Sequence, residues 1–268
     1  MKILLKLLFC LLLVMLLSCK SSPRQLRADE YLYSITDTAG PVDRYGYRDS
    51  AGNMIVPFGK YSFNYTDTIK SIGFVLASDG SWAIDKQGEK LFQTYPSPNN
   101  GPDEVNEGLF RILGADGTIG FADMEGNIVV SPRFSATSIF SDGKATFCQG
   151  CPLAMYKIVQ TEGFRQVMLK LRNEKPDIFF IISGRKYGRI NLKGDTILRP
   201  IYERIFPTWD GITMVLKDGN AFYIDSVGNE VDYDPLKHPS QKPIQRDVTK
   251  CTIYFKNEEE LLKFSKSL

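Results

Sequence analysis

One short pattern recurs along the chain and restricts its fold more than any other feature. It is an Asp or Asn, two further residues, then Gly, set between aromatic and β-branched runs. It occurs at Asp49 and Gly52, Asp85 and Gly88, Asp123 and Gly126, Asn191 and Gly194, and Asp225 and Gly228. The glycines stand 36, 38, 68 and 34 residues apart, so the long interval is one period plus an insertion of about thirty residues. Each copy has the chemistry of a hairpin turn. The first side chain can accept backbone N–H bonds, and Gly enters the left-handed region without steric cost. A type I turn followed by a left-handed Gly joins antiparallel strands.

The flanks complete a three-strand unit. The β-prone runs after the turn, such as Ile128-Val129-Val130 and Thr196-Ile197-Leu198, read as strands. Pro57, Pro132, Pro200 and Pro235 are expected to end them, because Pro cannot serve a ladder interior. Upstream, Asp79-Gly80, Asp116-Gly117 and Asp218-Gly219 read as two-residue type I′ turns. Strands Gly73–Leu76, Leu109–Ile112 and Ile212–Val215 precede them, and residues 141–147 supply the equivalent strand of the fourth unit. The expected fold is all-β. It is a tandem array of antiparallel hairpin or meander repeats, either an open solenoid or a partly closed propeller-like ring, with a hairpin insertion and a short C-terminal helix.

The segments Tyr45–Pro57, Trp82–Phe92, Ile119–Pro132, Tyr187–Pro200 and Phe222–Val231 together resemble the WG-repeat family of bacterial lipoproteins. The family unit reads Trp-Gly, an aromatic, Ile or Val, Asp-x-x-Gly, then an apolar run ending in Pro. The resemblance covers roughly residues 44–235. Tyr45, Ile119, Tyr187 and Ala221 stand at the Trp position, which only Trp82 keeps, and Ala83 and Phe222 replace the Gly. The resemblance implies an interaction module without a settled ligand.

The N-terminus suggests where such an array would work. Lys2 and Lys6 precede the unbroken apolar run Leu7–Leu17. A spanning helix needs about 20 apolar residues, so this run reads as a signal peptide. It closes on Leu16-Leu17-Ser18-Cys19, which resembles a bacterial lipobox and implies acyl chains on Cys19. Lys20 rather than Asp follows, which by analogy with enterobacterial sorting favours the outer membrane. The expected organisation is a signal peptide over 1–18, a tether over 19–28, the repeat domain over 29–235 with its insertion at 148–184, and a linker with a strand-helix cap over 236–268. Without Lys2 and Lys6 the chain has 31 basic and 31 acidic residues, and this balance argues against a nucleic-acid partner.

The insertion opens Cys148-Gln149-Gly150-Cys151-Pro152 and contains two β-prone runs, Val167–Leu171 and Ile178–Ile182, expected as two strands of one outgrowth. In the tail, Thr252–Phe255 reads as a strand. Asn257 then caps a helix with Glu258, Glu259 and Glu260 in its first turn, expected to cover the end of the array.

Few residues suggest catalysis. The single histidine, His238, leaves little for Ser/His or Cys/His chemistry. Cys148 and Cys151 are a candidate disulfide, with Cys251 as another possible partner in an oxidising envelope. Thioredoxin-like exchange would want a helix N-terminus at the first Cys, which the sequence does not offer. A zinc site from Cys148, Cys151, Cys251 and His238 has the right ligand number only. The Asp-x-x-Gly turns offer one carboxylate each, too few for calcium. Asp103, Glu104 and Glu107 are the densest acidic group of the repeat region, the place where a carboxylate-based hydrolase would be sought. Trp82, Tyr45, Tyr47 and Tyr187 are the candidates for a glycan-binding face. The function expected is non-catalytic and needs no cofactor: a membrane-tethered envelope protein that presents its repeats to a protein partner, glycan binding being the alternative.

Overall fold

The computed structural model describes residues 26–27, 29–97, 101–153, 162–174, 179–233 and 252–267. Cys19, Pro235, His238 and Cys251, with the signal peptide and the linker, lie outside the described residues. Five antiparallel three-strand units follow one another. The first is Leu32–Asp37, Arg44–Arg48 and Met54–Tyr61, and the second Gly73–Ala77, Gly80–Ile84 and Lys90–Thr94. The third is Leu109–Leu113, Ile119–Asp123 and Ile128–Phe134. The fourth is Lys144–Gln149, Lys186–Asn191 and Thr196–Tyr202, and the fifth Ile212–Lys217, Asn220–Ile224 and Glu230–Val231. In the last unit the connecting strand Arg204–Trp209 also pairs, with Ile212–Lys217. Lys90–Thr94 pairs with Leu109–Leu113, which merges the second and third units into one sheet of seven strands. The sheets are open, and among the described residues no helix is long and apolar enough to cross a membrane.

The five turns repeat one hydrogen-bond pattern. The Asp225 carboxylate accepts the amides of Val227 and Asn229, both at 2.9 Å, and the Gly228 amide reaches the Asp225 carbonyl. Asn191 does the same with a neutral amide oxygen, bonding Lys193 and Asp195 at 3.0 and 2.9 Å. The glycines all have left-handed φ, between 74° and 94°. The tight turns differ from expectation. Asp218-Gly219 has positive φ at both residues, as type I′ requires, but Asp79 and Asp116 do not. Gly117 instead bonds back to the Gly114 carbonyl, which makes residues 114–117 another turn of the Asp-x-x-Gly kind. An Asp just before a left-handed Gly suits either turn, so the dipeptide does not discriminate between them.

The prolines do not end their strands. Met54–Tyr61, Ile128–Phe134 and Thr196–Tyr202 run through Pro57, Pro132 and Pro200. Each proline sits in a bulge: Phe121 faces Val130 but Ile119 faces Phe134, and Arg189 faces Leu198 but Tyr187 faces Tyr202. The missing proline N–H is tolerated where the ladder is already broken. Opposite the bulge stands the second residue of the family motif. A Cβ on Gly188 would lie 2.5 Å from the Leu198 carbonyl oxygen, and one on Gly46 2.7 Å from that of Val56. Only Gly admits such an approach. In the second unit the residue three before the turn Asp is Trp82, with Ala83 one place on; here Trp82 faces Gln93 and Ala83 faces Phe92 in step, and the register shifts only between Ala83 and Ile84.

The core lies between units. Leu32, Tyr47 and Val56 pack with Val75 and Ile84 of the second unit. Phe74, Ala83 and Phe92 pack with Phe110 and Ile112 of the third. Phe121, Val130 and Phe134 meet Ala145, Phe147 and Ile190, and Leu198 and Tyr202 meet Val215 and Ile224. Each unit therefore shares core residues with the unit next to it, the arrangement of a nearest-neighbour array.

The insertion is not a hairpin of two strands. Val167–Leu171 lies within a helix, Glu162–Glu174 (α1), and Phe179–Ile182 pairs in parallel with the tail strand Thr252–Phe255. Helix Glu258–Ser267 (α2) follows the tail strand, its first turn capped by Asn257, whose side-chain oxygen accepts the Glu260 amide at 3.0 Å. Leu171, Phe180, Phe255, Leu261 and Phe264 form the core shared by the insertion and the tail. Ile181 and Phe179 face the other way, onto Phe206, Met214 and Leu216 of the last unit. The cover of the array's end is thus built jointly, with the insertion's strand making the apolar contact.

Candidate functional site

The structure places the sequence candidates apart from one another. The carboxyl or amide oxygens of Asp49, Asp85, Asp123, Asn191 and Asp225 are engaged by their own turns. The side-chain and backbone amides of Asn229 hold the Asp225 carboxyl below its ordinary range. Cys148 and Cys151 form a disulfide at the root of the insertion, both buried, with Cα atoms 5.8 Å apart. The bonded sulfurs are not thiolates, so the pair offers a metal no ligand in this form.

Asp103, Glu104 and Glu107 do not converge. Asp103 is 5% exposed and forms a bidentate ion pair with Arg111, at 2.6 and 3.0 Å, while also accepting the Arg111 amide. Tyr95 stacks on the same guanidinium, 3.9 Å from the ring centroid, and Arg111 also donates to the Thr137 carbonyl. Glu107 holds a left-handed turn position and accepts the Gly143 amide of the next unit. Glu104 is exposed. These are structural roles at the junction of the third and fourth units. The aromatic candidates do not make an exposed face: Tyr45, Trp82 and Tyr187 are partly buried, and Trp82 packs against the core cluster that contains Tyr47. Tyr47 is fully buried and donates to the Thr66 carbonyl, and Trp82 is covered by the Lys90 ammonium, 4.3 Å from the ring.

The junction of the fourth and fifth units is different in kind. Two residues before the turn Asp or Asn, each unit directs a side chain across its sheet face: Tyr47, Ala83, Phe121 and Tyr223 in four units, Arg189 in the fourth. Phe121 fills its junction with Phe140, 4.7 Å between centroids. Arg189 reaches Thr208 and Thr213 hydroxyls at 2.7 and 3.2 Å and the Phe206 carbonyl at 3.0 Å. All three partners are neutral. On the strand entering the fifth unit, Arg204 lies 4.7 and 5.2 Å from the Phe179 and Phe206 ring centroids, and no hydrogen bond or ion pair reaches it among the described residues. Burial pulls both guanidinium groups below their ordinary pKa, though arginine remains a cation.

Beside these cations the junction is open. A cavity of about 490 Å³ lies between the insertion-tail body and the two units, walled by Met168, Phe180, Ile182, Ile205 and Leu261. Its polar lining is Thr146, Arg185, Tyr187, Glu203 and Arg204. A second cavity, of about 280 Å³, adjoins it at Thr146 and is lined by Arg189, Lys144 and Thr208. Arg185 is neutralised by an ion pair with Glu258 at the start of α2. Burial works to raise the Glu203 carboxyl, but the Tyr254 hydroxyl at 2.8 Å, the Gly219 amide and Lys186 hold it below the ordinary range. Tyr254 in turn is pushed up to about 12 by burial and by that carboxylate. The junction thus holds two cations to which no carboxylate is bonded, Arg189 and Arg204, although Asp142 and Glu203 line the same cavities, and the apolar walls adjoin them. Sequence reading did not find it. The one signal available was the Arg at the aromatic position of the fourth unit.

The sequence model of the WG-containing repeat matches residues 119–150 and 187–220, so the chain carries WG-type β repeats. No curated protein sequence matches the chain. Among solved structures it is similar to the computationally designed Ika8 protein, at 10% identity and a TM-score of 0.27, over 74% of this chain and 59% of that one. It is also similar to BamB from Moraxella catarrhalis, at 13% identity and a TM-score of 0.24, over 75% of this chain and 72% of that one. Similarity at this level does not extend to function.

Proposed function

We propose that this WG-repeat chain is a non-catalytic, lipid-anchored protein of the bacterial cell envelope whose β-repeat surface binds a protein partner. One observation supports binding over catalysis. The turn carboxylates and Asp103 are engaged in turns or an ion pair, whereas Arg189 and Arg204 have no carboxylate on them. Among the described residues the dense carboxylates are thus taken up by structural bonds, and the two arginines without a bonded carboxylate stand beside the cavities. The anchor rests on the Leu-Leu-Ser-Cys sequence at residues 16–19.

Two measurements test this reading. Metabolic labelling with an alkyne palmitate should mark the wild-type chain and not Cys19→Ala, which should leave the membrane fraction. Equal labelling of both would overturn the anchor. In-cell crosslinking of the lipidated chain in its native host, with affinity purification and mass spectrometry, should recover one stoichiometric protein. Recovery of no protein would overturn the partner.

A further inference from the structure

The open junction suggests what part of a partner is held. Arg204 lies against apolar rings and borders a cavity walled on one side by side chains of α1, α2 and the insertion strand and on the other by Thr146, Tyr187, Glu203 and Ile205 of the repeat units. Its volume, about 490 Å³, falls within the 300–1,000 Å³ typical of ligand pockets. Arg204 is partly buried over the two rings, and a guanidinium drawn out of water usually takes an anionic partner. Glu258 pairs with Arg185, and Glu203, in the cavity wall, is bonded by Tyr254, Gly219 and Lys186, so neither carboxylate is bonded to Arg204.

We infer that this cavity receives the C-terminal carboxylate of a polypeptide whose last residues are apolar, with Arg204 binding the carboxylate. The assignment rests on the protein-partner reading above and narrows it. Charge complementarity requires an anion, and the apolar walls require that it be the head of a hydrophobic group. Glu203 decides between a peptide and a fatty acid. On Glu203 Oε1 the only donor among the described residues is Lys186, at 3.4 Å, so this oxygen retains capacity for another N–H. The last residue of a peptide brings a carboxylate and a backbone N–H together, whereas a fatty acid brings only the former. Arg189 plays a positioning part: it stands where other units carry an aromatic ring and holds the Arg204–Trp209 strand through the Phe206 carbonyl.

The test uses the full chain in detergent. It is mixed with a library of hexapeptides ending in Leu, Ile, Val or Phe with free carboxylates, and separately with the amidated library. Retained peptides are identified by mass spectrometry, and the best is measured by fluorescence anisotropy. The free acid should bind at least about tenfold more tightly than its amide, since a charge-assisted bond is lost. Arg204→Met should abolish that discrimination while the chain still unfolds cooperatively, because Met keeps an apolar stem against the Phe179 and Phe206 rings. Arg204→Lys should restore part of the discrimination. Equal binding of acid and amide, retention of neither library, or displacement of the peptide by sub-stoichiometric palmitate would each overturn the assignment. Crosslinking in cells reads the partner itself, so loss of the carboxylate site and loss of the partner are separate results.

Discussion

Gly194→Ala examines whether the turn glycines join neighbouring units as well as turning the chain. Gly194 has φ of 85°, and a Cβ there would lie 2.9 and 3.0 Å from the two methyl carbons of Val130 in the preceding unit. Gly52 has almost the same φ, 88°, but nothing lies within 4 Å of its Cβ position. Placing Ala in the left-handed region costs about 1–2 kcal/mol, and the lost freedom of the unfolded chain returns about 0.4–1 kcal/mol. Gly52→Ala should therefore cost about 1 kcal/mol net. Gly194→Ala adds overpacking against a buried valine, about 1–3 kcal/mol more. Urea denaturation of the two variants, with amide exchange over residues 186–202 measured in parallel, gives the difference. Adding Val130→Ala should relieve the clash, so the double mutant should show coupling within the range of about 0.5–3 kcal/mol expected of residues in contact. Equal losses in the two glycine variants, or strict additivity with Val130→Ala, would refute the interlocking. The same contact recurs where Gly228 meets Leu198 and Gly88 meets Val56, so the outcome bears on how the whole array holds together.

Three further outcomes are expected. Arg111→Ala should cost about 3–5 kcal/mol by stranding Asp103, while Asp103→Leu combined with Arg111→Met should recover most of that loss in the same denaturation assay. Asp225 is held below its ordinary value of 3.8 by Asn229, so its contribution to stability is present above that pH and is lost as pH falls through the lower folded value. Asp225→Asn should flatten that part of the acid-denaturation curve, as the neutral Asn191 already makes the equivalent turn bonds. Replacing Cys148 and Cys151 by Ser opens a very short loop, worth about 2 kcal/mol by chain entropy. The loss should appear as faster exchange at residues 150–153 and 184–187, with the first three units unchanged.

The sequence by itself determined what depends on a few neighbouring residues. An Asx oxygen two and four residues from the amides it accepts, and a Gly free to adopt positive φ, specify the turn at Asp225 and Gly228 without outside help. The alternation of residues such as Val215 and Leu216, each buried against a different neighbour, likewise follows from strand geometry. The Asn257 cap was legible for the same local reason.

Other features were decided by contacts between distant residues. Val167–Leu171 is too short for its period to separate strand from helix, and it became helical with Val167 and Leu171 on one buried face, against Phe255 and Leu261. Pairing of Phe179–Ile182 with Thr252–Phe255 joins segments some seventy residues apart, and neither run contains anything that names the other. Pro132 stayed within its strand because Gly120 let the opposite backbone approach and bulge. Arg189 and Arg204 read in sequence as ordinary polar positions. Only the tertiary structure partly buried both beside open cavities, because desolvation depends on every element packed around a charge and not on the residues flanking it.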